Sequence, residues 1–182
     1  EPAFSDTLQN LTGDSNLHLY CDPDGIVWTS NWNGNGIYQL IPENQPIKRY
    51  LPKPGEKNSL SSGLISTIIH GPQGKLWFGT ADGINIFDPL TESFEVLREK
   101  DLPGVKGTAI IPLYIDTVRQ LAWLNAGSQE RRYDKYFGMT MYEMDLKTRK
   151  CSPIVFKNGQ RRIDTFSVLH TLVRPYRNGI IF

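Results

Sequence analysis

The strongest binding signature in this 182-residue sequence is a tryptophan set among asparagines. Trp32 lies in Ser30-Asn31-Trp32-Asn33-Gly34-Asn35-Gly36, with Asn33 and Asn35 close behind it. An indole face stacks on the C–H groups of a sugar ring, while amides donate to and accept from its hydroxyls. A second cluster, Arg131, Arg132 and Tyr133, falls within Gln129-Glu130-Arg131-Arg132-Tyr133-Asp134-Lys135-Tyr136-Phe137. Paired guanidinium forks grip a carboxylate or sulfate at two oxygens each. The competing reading is structural: Asn-Gly pairs make turns, and arginine stems cover apolar surface. Arg161 and Arg162 form a weaker pair of the same kind.

Other chemistries find little support. His18, His70 and His170 share no common context, so they read as strand or surface residues rather than a metal-ligand set. Cys21 and Cys151 are the two cysteines, too few for a disulfide scaffold or a metal knuckle. No nucleophile elbow, phosphate loop or metalloprotease helix occurs, and no carboxylate pair has a distinguishing context. No catalytic residue, metal or cofactor is expected. Twenty Lys and Arg against 19 Asp and Glu leave a net charge of +1, without the basic stripe that a nucleic acid or an anionic membrane requires. No apolar run approaches 18 residues, so no membrane contact is expected from this segment.

What holds these loops is a repeat. Cys21-Asp22-Pro23-Asp24-Gly25-Ile26-Val27-Trp28 realigns 49 positions later with His70-Gly71-Pro72-Gln73-Gly74-Lys75-Leu76-Trp77. Both copies read Pro-x-Gly-x-apolar-Trp after an apolar segment. A third copy ends at Trp123, 46 residues on, with Val118 and Gln120 in place of the Pro and Gly. A fourth starts at Val168 and reaches Phe182. Sixteen glycines and twelve prolines favour turns over long helices. Within the second unit, Ile65–Ile69, Lys75–Thr80, Gly83–Phe87 and Ser93–Leu97 read as strands, the third with the alternation of a half-buried strand. The segment from Asp116 to Ala126 is the one weak helical rival.

Four antiparallel strands per 40 to 50 residues predict an all-β protein, a β-propeller fragment of about three and a half four-stranded antiparallel blades. Approximate blades are 13–57, 58–104, 105–160 and an incomplete 161–182 within a partial propeller spanning 1–182, with a stray outer strand at 2–9. Trp28, Trp77 and Trp123 are expected in the core between blades, where a wide ring buries about 150–250 Å². Cys21 on an inner strand and Cys151 on an outer one should stay unpaired. The chain starts at Glu1 rather than Met, so it reads as a piece of something longer. The expected partners are a carbohydrate-type ligand and either the remainder of the propeller or a second copy of the chain. The loops joining second to third strands vary in length. The second unit uses Thr80-Ala81-Asp82-Gly83, the first inserts two residues, and the third inserts roughly eleven. Those insertions carry both candidate clusters to one rim, where binding residues concentrate on such folds.

Gly74-Lys75-Leu76-Trp77-Phe78-Gly79-Thr80-Ala81-Asp82-Gly83-Ile84-Asn85-Ile86-Phe87-Asp88, preceded by Asn58-Ser59-Leu60-Ser61-Ser62-Gly63-Leu64-Ile65, resembles the two-component regulator propeller repeat. The likeness is strong in the second unit, good in the first and degenerate afterwards. The resemblance implies the extracytoplasmic sensor of a hybrid histidine kinase, periplasmic and responsive to poly- or oligosaccharide fragments. It implies kinase activity in the parent chain and none in this segment. A propeller enzyme, such as a lyase or glycosidase, and a protein-interaction propeller are the competing classes.

Overall fold

Turn residues cut this chain into strands, and the strands fold back on one another in fours. The computed structural model describes residues 16–31, 36–40, 48–127, 138–155, 162–164, 174–176 and 179–181. The first sheet runs β1 (Asn16–Cys21), β2 (Val27–Asn31), β3 (Ile37–Leu40) and β4 (Lys48–Tyr50), all antiparallel and in chain order. The second repeats that order with β5 (Ile65–His70), β6 (Leu76–Thr80), β7 (Gly83–Asp88) and β8 (Ser93–Leu97). The third uses β9 (Ala109–Asp116), β10 (Leu121–Gly127), β11 (Gly138–Asp145) and β12 (Cys151–Pro153). β13 (Arg162–Asp164) pairs with β11 as well, while β14 (Arg174–Tyr176) and β15 (Gly179–Ile181) form a hairpin. These are the four-stranded antiparallel blades of a β-propeller. The residues at 2–9 lie outside those described.

The weakly helical stretch from Asp116 to Ala126 is strand, turn and strand. Its apolar residues fall on alternate faces of β10, and burial on both faces outweighs any helical spacing.

Successive residues of β6 enter different cores, which is how one sheet serves two neighbours. Leu76 and Phe78 pack with Trp28, Ile37, Ile65 and Phe87 between the first and second sheets. Trp77 packs with Ile84, Leu97, Ile110, Leu124 and Tyr142 between the second and third. Trp28 is wholly buried, and its ring meets Phe87 edge-on at 5.4 Å between centroids. Trp123 is buried too, stacked on Tyr114 at 5.7 Å. Cys21 and Cys151 stand on different sheets, and both are free thiols.

One alternation meant something other than half-burial. β7 is buried from Gly83 to Phe87, and its polar residue Asn85 has no exposed surface. Asn85 accepts from the Ser61 backbone N–H at 2.8 Å and donates to the Ser61 hydroxyl at 2.7 Å. A buried amide persists when its bonds are made.

The connections between sheets act alike. Each sends one leucine inward, Leu60 to the first seam and Leu102 to the second. Each also caps an N–H on the following sheet's outer strand: Phe94 donates to the Asn58 side chain and Cys151 to the Pro103 carbonyl. Such capping blunts the exposed edge that would otherwise recruit another strand.

Candidate functional site

Antiparallel order puts the β2–β3, β6–β7 and β10–β11 loops on one rim, together with the connections between sheets. Hydrogen bonds across that rim bear this out. The Gly36 N–H donates to the Gly63 carbonyl at 3.1 Å, and the Gly83 N–H to the Thr108 carbonyl at 2.8 Å.

The short loop of the second sheet is closed by side-chain hydrogen bonds. Thr80 ends β6 fully buried, and its hydroxyl donates to the Gly83 carbonyl at 2.8 Å. The same oxygen accepts the Asp82 N–H at 3.1 Å, closing the turn. Ser61, arriving from the preceding connection, donates its hydroxyl to the Asp82 carbonyl at 2.7 Å. Arg98, opening the next connection, grips the Asp82 carboxylate with Nε at 3.1 Å and Nη2 at 3.0 Å. That bond raises the guanidinium pKa further, against a smaller opposing effect of burial. A carboxylate held by a fork is fixed in direction as well as charge.

The two long loops are pinned where they meet this rim. Gly36 returns the first loop to β3 with φ of +84°, and a Cβ there would collide with the Tyr50 carbonyl. Gly127 ends β10 just before the second loop, packed against Gly107 so closely that no Cβ fits on Gly107. The candidates Trp32, Asn33, Asn35, Arg131, Arg132 and Tyr133 lie outside the described residues. The flanks of their loops are described, and both open on the rim that carries Asp82 and Arg98.

Sequence reasoning missed this polar junction. Ser61, Thr80 and Asp82 stood inside a recognised motif, but the bonds that tie Ser61 to Thr80, Asp82 and Asn85 span 19 to 24 positions. Arg98 carried no local signal at all. Among the described residues no group of three or more His, Cys, Asp or Glu side chains is placed to hold a metal ion. His70 ends β5 as an exposed residue, and His170 lies outside the described residues. Asn125 in β10 is fully buried, with neither amide atom hydrogen-bonded.

Residues 59–82 match the family model described as two component regulator propeller. No curated protein matches the chain. The matched segment holds the lead into the second sheet, both its first strands, and Ser61, Thr80 and Asp82 of the rim junction. The chain thus builds four-stranded propeller blades and carries a repeat of the two component regulator propeller family.

Proposed function

We propose that this chain is the ligand-binding sensor module of a hybrid two-component system sensor histidine kinase. In this reading it faces the periplasm and detects a poly- or oligosaccharide-derived signal. The observation that carries the proposal is the regulator-propeller match at residues 59–82, set on a blade whose rim is tightly organised. Two features support a binding role for that rim. Rigid sheets hold loops of unequal length there, and the longer loops carry Trp32 with its asparagines and Arg131–Tyr133. Stacking on the indole and bonding by amides suit neutral sugars, and the arginine pair suits their acidic or sulfated derivatives. The segment binds, and phosphotransfer belongs to other parts of the parent chain. Ligand acts by binding one arrangement of the blades better than another.

A glycan array probed with the purified chain, followed by calorimetry on the hits, tests this. The double variant Trp32→Ala, Arg132→Ala should weaken binding by about tenfold or more, equivalent to ~1.4 kcal/mol, with the melting temperature unchanged. Undiminished affinity in the folded double variant removes these loops from the site. Cleavage of a bound glycan would instead make the propeller an enzyme, and no binding to any glycan would favour a protein partner.

A further inference from the structure

We propose that Asp82 is the node of a hydrogen-bonded belt along the rim that couples the seats of the two long loops. The inference rests on the binding reading above and adds its regulation: occupancy of one loop biases the other.

The belt can be followed through hydrogen bonds, joined by stretches of connecting chain and, at Gly107, by close packing. Gly36, where the first long loop ends, donates its N–H to the Gly63 carbonyl at 3.1 Å. Two residues earlier in that connection, Ser61 donates to the Asp82 carbonyl at 2.7 Å and is itself held by Asn85 at 2.7 Å. Asp82 commits three groups to three elements: its carbonyl to Ser61, its N–H to Thr80 at the end of β6, and its carboxylate to Arg98. Arg98 leads into the connection toward the third sheet, where the Thr108 carbonyl accepts the Gly83 N–H at 2.8 Å. Gly107, next to Thr108, lies against Gly127, from which the second long loop departs.

This junction resists piecemeal rearrangement. Thr80 and Asn85 are fully buried, and withdrawing Ser61 would strip the Asn85 side-chain oxygen of its hydrogen bond. Coupling through such a network is reciprocal, so either loop can bias the other. Asp82 is a positioning residue in this scheme and need not touch ligand.

Amide hydrogen exchange on the full 182-residue chain, read by NMR, tests the belt without any ligand. Asp82→Ala removes the carboxylate arm alone, so exchange should speed about 3- to 10-fold at Gly107 and, as the loosened turn frees the Ser61 bond, about threefold at Gly36, the two ends of the belt. The Gly25 amide, bonded to the Asp22 carbonyl on the opposite rim, should stay within about twofold. Faster exchange confined to Gly83 and Ser61 overturns the proposal, as does uniform acceleration that includes Gly25. Arg98→Lys keeps the charge but loses the fork, and decides the matter should Asp82→Ala fail to fold. It should quicken Gly107 more than Gly36, and no change at either end overturns the belt. Because no ligand enters the measurement, its failure leaves the binding proposal standing, and failed glycan binding leaves the belt standing.

Discussion

Trp77 and Phe78 are neighbours in sequence yet belong to different cores, because a strand turns alternate residues to opposite faces. Trp77→Ala should therefore cost about 3–5 kcal/mol in urea unfolding, the range for large aromatic truncations in cores. A loss below about 1 kcal/mol would contradict that burial. The tryptophans were legible because a wide apolar ring at a repeated place has one economical location. Asn85 was not, since its alternation with Ile84 and Ile86 looks the same whether the polar side meets water or Ser61. Titration offers a second test at this scale. Burial pushes the Cys151 thiol up to about 11, and burial with Glu92 nearby pushes the Tyr50 hydroxyl up to about 12. The folded chain thus holds these protons more tightly than the unfolded chain, with ordinary values of 9.0 and 10.0. The stability they contribute is complete below about pH 9 and drains away as pH climbs toward 11 and 12. The urea midpoint should fall across that window. Tyr50→Phe should shallow the decline, and at neutral pH it should hold or raise stability, because the buried hydroxyl it removes has no hydrogen-bond partner. An unaltered slope would remove Tyr50 from the account.

The turns explain why the third copy of the repeat looks degenerate. Three residues before each blade tryptophan the backbone is left-handed, at Gly25 (φ 79°), Gly74 (φ 72°) and Gln120 (φ 58°). The conformation persists where the glycine does not. A side chain in that region carries strain that glycine escapes, so Gln120→Gly should raise stability by about 0.5–1 kcal/mol. A loss of stability would mean that the Gln120 side-chain bond to the Thr117 carbonyl outweighs the strain. The turns after β7 and β11 share a second left-handed position, held by Glu92 (φ 51°) and Arg149 (φ 59°). Here the side chains have a use. Glu92 pairs with Lys48 on the first sheet, and Arg149 pairs with Glu95 on the second at 2.6 Å. Strand identity was readable from turn punctuation and branched residues. The pairing of Arg98 with Asp82 was not, because it depends on where a connection lands after a whole blade has folded.

The second sheet belongs to both seams, while each core is made with one neighbour only. Stacks of this type gain stability as intrinsic terms plus nearest-neighbour interfaces. Ile37→Val touches the first seam and Ile84→Val the second, each costing about 0.5–1.5 kcal/mol. The two should add within about 0.5 kcal/mol in urea unfolding. A coupling above about 1 kcal/mol would show the seams acting as one core through β6 and β7.

The contact at Gly79 has a geometric consequence. A Cβ there would fall 2.6 Å from the Thr67 hydroxyl of its own sheet, 2.8 Å from Pro112 and 3.0 Å from the Ile111 Cα, and beside it Thr80 pairs directly with Ile110 of the inner strand β9. The second and third sheets thus touch backbone to backbone at this point, while Trp77, Leu97 and Leu102 fill the space elsewhere in the seam. Together they form a wedge: thin at the pivot, thick at the filling. The angle of that wedge is the share of a full circle that each blade takes, and so it governs how many blades close a ring. Gly79→Ala would thicken the pivot and narrow the angle. Sheets related by narrower angles need more copies to come round, so one methyl group at position 79 bears on the curvature of the whole assembly.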